Sequence, residues 1–348
     1  MTLHNTQAAQ GAVFAPDGIP LRFGDQLVEY QAALAGVIIL DRSHEVRLKL
    51  TGSTALDLMN RISTNDLSQM SVGEGRPTIF TNPNARILDR VDVYQREHDV
   101  LVLGEPGRGV ALGSYLQRNI FFGDDVQLHT LADGSNQLDL HGPLANDLIA
   151  ALAPQAAGLN GLHGCEIQIG SHTIYIVRRK AVHEQRWTLL VSAEAAGDLW
   201  TACINAGAVA AGSLIYNVLR IRAGLPSVGR ELSEQFIPLE VGLWDEISFS
   251  KGCYTGQEII ARMESRKQLA KTLVKLQLSE LVTPPAQLYA GERTIGQLTS
   301  SIAAPDGEIF ALGVVKPDYA QAGQTLFVGD HKIEAQVNAL AGVQPERG

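Results

Sequence analysis

Hydrophobic and polar residues follow two kinds of pattern along the chain, and these patterns come in a defined order. From Val46 to Leu50 apolar and polar positions alternate, as in a half-buried strand. Ala55, Leu58, Met59 and Ile62 then recur with the spacing of an amphipathic helix. Three strand-like runs and a helical stretch follow, at 78–81, 86–95, 100–103 and 109–119. This region therefore predicts the order βαβββα.

The same order is predicted a second time further along the chain. A strand at 137–140 precedes a helix near Pro143, a residue suited to the first helical position. The remaining elements are a hairpin across Gly170-Ser171, one more strand and a helix, at 166–169, 173–178, 187–191 and 194–206. We therefore predict two similar units, at about 40–125 and 135–210. Residues 1–24 show no clear period and predict an extended lead-in.

The pattern of apolar and polar residues changes near the C-terminal end of the chain. Residues 213–224 read as a helix. After Lys271, short alternating runs are separated by turn signals such as Pro284-Pro285 and Gly291-Glu292. Short strands at this spacing are typical of a small barrel or sandwich. The predicted organisation is an α+β domain over 1–268, which includes a loop and helix at 248–266, and a β domain over 269–348.

Composition narrows the possible classes of protein. The 348 residues carry a net charge of −9 and are 45% hydrophobic, with a pI near 5.5. A chain this acidic is not expected to bind nucleic acid in bulk, because such binding needs a basic surface. No apolar run approaches the ~20 residues of a membrane span. Met1–Gln10 have neither a basic region nor an apolar stretch, so no signal peptide is predicted. We expect a soluble, cytoplasmic protein.

Three classes of side chain give weaker signals. The cysteines are Cys165, Cys203 and Cys253, and since none forms a C-x-x-C pair we expect no metal site within one chain and a reducing compartment. The basic run 178–180 is interpreted as a solvated strand end. His141 and His163 lie beside glycines and are interpreted as loop residues or satisfied polar residues.

One octapeptide carries the most specific chemical signal, namely Lys251-Gly252-Cys253-Tyr254-Thr255-Gly256-Gln257-Glu258. Thr255 and Glu258 have the spacing of a capping box, so a helix is predicted to start there. A thiol just before a helix N-terminus, with a lysine beside it, favours the thiolate. The alternative interpretation of Cys253 is a small residue packed at a strand-to-helix turn.

The same octapeptide resembles the KGCY-x-GQE signature of the YgfZ family, folate-binding relatives of the glycine-cleavage T-protein. That family is implicated in iron–sulfur cluster assembly and in tRNA modification that depends on it. Further segments look like landmarks of the same superfamily in the expected order: Leu40-Asp41-Arg42-Ser43, Thr64-Asn65-Asp66-Leu67, Leu140-His141-Gly142-Pro143, Leu219-Arg220-Ile221-Arg222-Ala223-Gly224 and Gly296-Gln297-Leu298-Thr299-Ser300. The resemblance implies a duplicated folate-binding α+β domain, a C-terminal β-barrel and tetrahydrofolate as cofactor.

Asp89 aligns with the first of two tandem acids that the T-protein pattern places beside folate N5, and Arg90 replaces the second. A carboxylate there can hold the amine proton or stabilise an iminium cation during one-carbon transfer. On an alternating strand Asp89 shares a face with Ile87, Val91 and Val93, where an acid is costly unless it is paired or at a site. Arg90 has a possible partner in Asp92 on a solvated face.

Three further residues are candidates for folate binding. Glu184 stands where T-proteins have the glutamate of a GYTGE motif, although Gly, Tyr and Thr of that motif are absent. A carboxylate can accept two N–H groups from a pterin edge. Trp187 could stack on a flat ring or belong to the core. Arg220 could fork onto a folate carboxylate or form an internal salt bridge.

These observations predict a tetrahydrofolate-binding protein of the YgfZ type, with Cys253 functional and with iron–sulfur enzymes or their assembly proteins as partners. Folate is expected between the two α+β units. Two alternatives stay open. One is a tetrahydrofolate-dependent aminomethyltransferase or methyltransferase that uses Asp89, and the other is a scaffold that has lost folate.

Overall fold

A computed structural model describes residues 1–266 and 269–344. It contains an N-terminal segment, two α+β repeats, a connecting region and a barrel. The N-terminal segment comprises α1 (Leu3–Ala9), β1 (Val13–Phe14), β2 (Pro20–Arg22), α2 (Gln26–Ala35) and β3 (Ile38–Asp41).

The extended lead-in predicted for residues 1–24 is wrong, because this stretch holds α1 and the β1–β2 hairpin. Thr2 caps α1 by accepting a hydrogen bond from the Asn5 amide. The inward face of α1 includes Gln7, which is buried and donates to Asp41. A polar residue on that face interrupts the apolar period on which the prediction relied.

The two predicted repeats are confirmed in order. The first contains β4 (Val46–Thr51), α3 (Ala55–Ile62), β5 (Gly75–Thr81), β6 (Ile87–Gln95), β7 (Val100–Gly104) and α4 (Gly109–Arg118), followed by β8 (Gln127–Thr130). The second contains β9 (Ser135–His141), α5 (Ala145–Leu152), β10 (Gly164–Ile169), β11 (His172–Arg178), β12 (Arg186–Ser192) and α6 (Ala196–Asn205), followed by β13 (Val209–Ala210) and α7 (Ser213–Ala223).

The sheets of the two repeats have equivalent strand orders. One sheet has the order β5-β6-β7-β4-β8 and the other has the order β10-β11-β12-β9-β3-β13. In each, the first strand of the repeat lies beside its fourth strand and also pairs with an extra antiparallel strand, β8 or β3. Equivalent topology in both halves supports an internal duplication.

The connecting region and the barrel complete the chain. The helix α8 covers Gln257–Arg266, after short 3-10 turns at Pro238–Val241 and Trp244–Glu246. The barrel strands are β14 (Thr272–Leu278), β15 (Ala286–Ala290), β16 (Arg293–Ala303), β17 (Ile309–Val315), β18 (Thr325–Val328) and β19 (Ile333–Leu340). They close in the order β14-β17-β16-β15-β18-β19, so the predicted barrel is confirmed.

Contacts divide the chain into two compact units. The first comprises Met1–Met59, Leu67–Pro77 and Val91–Tyr216, and the second comprises Asn60–Asp66, Thr78–Arg90 and the described part of 217–348. The domain boundary was predicted between residues 268 and 269. Residues 267 and 268 lie outside the described residues, as do 345–348.

Each unit has its own apolar core. In the first unit, apolar residues of β9–β12 pack with α5 and α6 around Trp187 and Trp200. Tyr94 of β6 and Leu101 of β7 also pack with Val177 and Leu190, residues of the other sheet. In the second unit, inward residues of the barrel strands form a separate core.

Candidate functional site

The octapeptide lies in the second unit and runs from the loop after the 3-10 turn that ends at Glu246 into the first two residues of helix α8. Its glycine at 256 has φ +86° and packs against the β5–β6 turn. A Cβ at Gly256 would lie 2.8 Å from the Asn82 carbonyl oxygen and 2.9 Å from the Ala85 Cα. Both the backbone conformation and the close approach therefore require glycine at this position.

Tyr254 and Cys253, although adjacent, lie in different environments. The Tyr254 ring is buried, and burial raises the pKa of its hydroxyl to about 12. Cys253 is exposed. The Thr255 carbonyl accepts a hydrogen bond from the Thr81 hydroxyl at the end of β5. The segment is thus fixed through its backbone and its tyrosine, and the thiol faces solvent.

The side chain of Lys251 is directed at backbone carbonyls. Its Nζ donates to the carbonyls of Ser63 and Asn65, at 2.9 and 2.8 Å, and also to that of Asn60. Burial lowers the pKa of Lys251 to about 8, and Asp66 opposes the shift. Its three N–H donors are therefore all directed at these carbonyls, and the effect of its charge on the Cys253 thiol stays a prediction.

The predicted capping box does not form. Helix α8 begins at Gln257, and the Glu258 carboxylate accepts a hydrogen bond from Arg262 one turn further on instead of folding back. Both side chains of this pair are largely exposed. A surface pair between positions i and i+4 competes with the capping geometry here.

Asp89 lies on β6 and is 5% exposed, with Ile87, Val91 and Val93 buried on the same face. The predicted alternation of this strand is confirmed. Its Oδ1 accepts a hydrogen bond from the Arg90 amide at 3.1 Å. A buried acid on an apolar strand face has the chemical character that the prediction required of a site residue.

The solvated face predicted for Arg90 and Asp92 needs correction, because Asp92 is buried. Arg90 forks onto Glu246, with Nε–Oε2 and Nη2–Oε1 distances of 2.9 Å. Asp92 is buried and accepts from Arg179 at 2.7 Å. Arg90 therefore ties the strand that carries Asp89 to the residues just before the octapeptide, and these belong to the same compact unit.

A surface cavity of about 430 Å³ adjoins this region in the second unit. Ile259 and Met263 of α8 line it together with Arg86 and Glu240. These two charged groups face each other, with Arg86 Nη1 at 3.5 Å from Glu240 Oε2. Burial raises the pKa of Glu240, so the cavity combines apolar walls with one opposed charge pair.

The other three predicted folate contacts lie in different environments. Glu184 is exposed on the β11–β12 loop and has φ +54°, an uncommon conformation for a glutamate. Trp187 is 1% exposed and donates from Nε1 to Asn146, so its ring belongs to the core and offers no free face for stacking. Glu184 and Trp187 lie in the first unit.

Arg220 is buried in the second unit and pairs internally. It donates to Asn217 at 2.7 Å and to the Ser300 hydroxyl at 3.3 Å, and it lies 3.7 Å from Glu231. This arrangement corrects the predicted role of Arg220 in binding a folate carboxylate, since the guanidinium is used to connect α7 to the barrel strand β16.

A buried network of charges in the first unit was missed by the sequence analysis. Its members share nearly complete burial and mutual ion pairs: Arg42, Glu45, Asp92, Asp139, Arg179 and Arg186. Arg179 was predicted on a solvated strand end and is instead buried. The signal was present in the alternation of β9, where Gln137, Asp139 and His141 occupy every second position and therefore share one face.

His141 also departs from its predicted environment. It is fully buried on β9, and neither ring nitrogen has a hydrogen-bond partner among the residues that the structure describes. Nε2 lies 3.5 Å from Asp139 Oδ2, which is too long for a good hydrogen bond. Burial lowers the pKa of His141 to about 4, with Asp139 opposing, and the imidazole is therefore neutral at physiological pH.

Two kinds of feature are absent from the described ranges 1–266 and 269–344. Within these ranges no group of three or more His, Cys, Asp or Glu side chains is arranged to hold a metal ion. Nor does any helix in the same ranges have the length and apolar character needed to cross a membrane.

The fold and the matched region define the class of protein. A family model described as the GCVT N-terminal domain matches residues 3–251, and the chain belongs to this family. The T-protein fold is shown by the glycine cleavage system aminomethyltransferase T of Bartonella henselae, with a TM-score of 0.82, 22% identity and coverage of 97% of this chain and 96% of that chain.

Two relatives illustrate where the chain stands within the family. It is 28% identical to the Arabidopsis thaliana protein called "Putative transferase At1g60990, chloroplastic", over 98% of this chain and 80% of the relative. It is 26% identical to the aminomethyltransferase of Thermosynechococcus vestitus, over 92% of this chain and 88% of that enzyme.

Proposed function

We propose that this protein binds a reduced folate, with Asp89 next to N5. The observation that carries the proposal is the burial of Asp89 on an apolar strand face, in a chain of the GCVT family. Relatives named aminomethyltransferase give it further support. Trp187 and Arg220 are not part of the proposed site, because Trp187 packs in the apolar core and Arg220 lies against Glu231.

Asp89 supplies the chemistry at the reacting end of the ligand. A carboxylate held in a largely apolar setting interacts strongly with positive charge that develops nearby. It can therefore hold the proton on N5 or stabilise an iminium formed there. The residue next to it on the strand, Arg90, forms an ion pair with Glu246.

The biological role that we propose is support of iron–sulfur enzyme assembly or repair, and of the tRNA modification that depends on it. The octapeptide and its exposed Cys253 favour this role, because a thiol must be accessible to react or to exchange ligands. Replacement of most of GYTGE by Ala181-Val182-His183-Glu184-Gln185 disfavours efficient glycine cleavage. In cells that lack the protein, wild type should restore a tRNA-modifying iron–sulfur enzyme, whereas Cys253→Ser should fold but not restore it.

A second candidate function is one-carbon transfer of the aminomethyltransferase type. The presence of Asp89 and the names of several relatives favour it. Both candidates require folate, and only the second requires turnover of an aminomethyl donor.

Calorimetry with tetrahydrofolate tests the folate proposal. Wild type should bind, and Asp89→Asn should weaken binding by about tenfold or more, because a charge-assisted hydrogen bond is worth roughly 1.5–3 kcal/mol. Glu280→Gln, which removes the charge of an exposed glutamate in the barrel region, is the control and should bind like wild type. Absence of binding by wild type would sink the proposal, and equal affinities in all three proteins would move the site elsewhere.

A further inference from the structure

All three N–H donors of the Lys251 ammonium are engaged in hydrogen bonds to backbone carbonyls. An alkylammonium has three N–H donors, and the three carbonyls of Asn60, Ser63 and Asn65 accept them. The group is half-buried, and its only aromatic neighbour in the octapeptide is Tyr254, whose ring centroid is 5.6 Å from Nζ. A role as proton donor to a ligand or as direct hydrogen-bond donor to a thiolate would require breaking one of these bonds.

The three acceptors lie where helix α3 ends. The last four carbonyls of a helix lack amide partners within the helix and carry the negative end of its dipole. α3 ends at Ile62, so the Asn60 carbonyl is one of these groups, and those of Ser63 and Asn65 follow directly. Three converging carbonyls make a site that suits a single compact positive charge.

The segment that carries Cys253 is anchored on both sides of the thiol. On one side, the Ser248 amide donates to the Thr64 carbonyl at 3.0 Å, and Lys251 enters the carbonyl site. On the other side, Tyr254 is buried and the Thr255 carbonyl is bound by Thr81. Only Gly252 and Cys253 lie exposed between these anchors.

We infer that Lys251 is a positioning residue whose ammonium serves as the cation of a carbonyl site at the end of α3 and thereby fixes the place of Cys253. The anchoring stands on geometry alone, whereas its importance for activity rests on the proposed function. This differs from a role in which the lysine charge simply favours the thiolate. Arginine would retain the charge, but its flat, forked donors do not match three converging carbonyls.

Chemical rescue tests the inference. Lys251→Ala removes the atoms of propylammonium, so that ion can refill the site, whereas propanol at the same concentration cannot supply the charge. Amide hydrogen exchange is measured over 60–66 and 248–256, together with the alkylation rate of Cys253 and tetrahydrofolate binding. Lys316→Ala, at an exposed lysine near the barrel, is the matched control.

In Lys251→Ala, exchange in both peptides should rise on the order of tenfold or more, since even one charge-assisted bond is worth a factor of that size. The Cys253 alkylation rate should change with it. Propylammonium should return both towards wild type, and propanol should leave them altered. Lys251→Arg should resemble the alanine variant, and Lys316→Ala should match wild type.

The inference is overturned if both peptides exchange in Lys251→Ala as in wild type, if propanol rescues as well as propylammonium, or if Lys251→Arg matches wild type in every readout. Should the alanine variant not fold, Lys251→Met keeps the apolar stem and answers the same question by exchange. Failure of wild type to bind tetrahydrofolate would remove the proposed function and leave the exchange result standing.

Discussion

Arg90 and Glu246 form a forked ion pair between residues 156 positions apart in the chain. Glu246 is 1% exposed at its side chain and Arg90 is 12% exposed. The pair holds the residue after Asp89 against the residues that lead into the octapeptide. Arg90 stands where the T-protein pattern has a second acid. In the structure this arginine has the carboxylate of Glu246 as its partner.

Breaking this pair from one side should be costly. Glu246→Gln removes the buried carboxylate charge onto which Arg90 forks, and the expected loss in the free energy of unfolding is roughly 3 kcal/mol. The double variant Arg90→Met with Glu246→Met should lose less than the sum of the losses in Arg90→Met and Glu246→Met, because each single variant already removes the interaction between the two groups. Urea unfolding of wild type, the two methionine single variants and the double variant measures this coupling.

The exposed pair Glu258–Arg262 provides the control in the same region. Glu258→Gln should change stability by only ~0.5 kcal/mol or less, as expected for a surface pair one turn apart on a helix. If Glu246→Gln were no more destabilising than Glu258→Gln, the Arg90–Glu246 pair would contribute no more to stability than a surface pair.

The three cysteines should react with iodoacetamide at very different rates. Cys253 is exposed, Cys165 is partly exposed and Cys203 is fully buried. Burial raises the pKa of the Cys165 thiol and raises that of Cys203 to about 12, so both lack thiolate at neutral pH. Mass spectrometry at pH 7.5 should show labelling in the order Cys253, Cys165, Cys203, with Cys253 faster by at least about tenfold.

In urea all three cysteines should label at similar rates, which separates the effect of the fold from that of the neighbouring residues. Labelling of Cys165 or Cys203 ahead of Cys253 in the folded protein would contradict the thiol assignment. Cys253 would then be better explained as a packing residue.

Stability should fall as the pH falls from about 6.5 to about 4, because His141 is buried and neutral. Its pKa in the folded state is about 4, whereas an exposed histidine titrates near 6.5. The unfolded chain therefore binds the proton first as the pH drops, and the loss levels off once both states are protonated. The shift corresponds to at most roughly 3 kcal/mol.

His141→Asn should flatten the dependence of unfolding free energy on pH within that window. The groups around the ring are Asp139, Arg186, Arg42 and the ring of Tyr216, with its centroid 5.8 Å away. Arg186 holds the pKa of Asp139 well below its usual range against the effect of burial. The contribution of Asp139 to stability is therefore lost only at lower pH. His163→Asn, at an exposed histidine, should keep the wild-type slope. An unchanged slope in His141→Asn would refute this assignment.

Glycine-cleavage turnover should be low. Without the Gly, Tyr and Thr of GYTGE, the region around Glu184 lacks most of the motif, and we expect conversion of an aminomethyl-lipoyl donor at least about 100-fold below that of an authentic T-protein, a loss on the scale of a missing catalytic group. The Thermosynechococcus vestitus aminomethyltransferase is a suitable positive control. A rate equal to that control would place one-carbon transfer first among the proposed functions.

Local patterns in the sequence determined the elements of this protein. The periods of two and 3.6 residues report which face of a strand or helix is apolar. They predicted both βαβββα repeats, the place of Asp89 on an apolar strand face, and a C-terminal barrel or sandwich of short strands, between which the family resemblance chose the barrel. The octapeptide likewise indicated a thiol just ahead of a helix. Each of these features depends on residues close together in the chain.

Tertiary structure alone decided which charged groups meet. Arg90 pairs with Glu246, and Lys251 donates to the carbonyl of Asn60, 191 residues earlier, at the end of a helix. Arg179 and His141 looked like surface or loop residues and are buried. Arg179 pairs with Asp92 of another strand, whereas His141 is neutral because burial lowers its pKa. Periodicity records whether a position faces inward, but the partner of a buried charge is set by the packing of distant segments, which a local pattern does not contain.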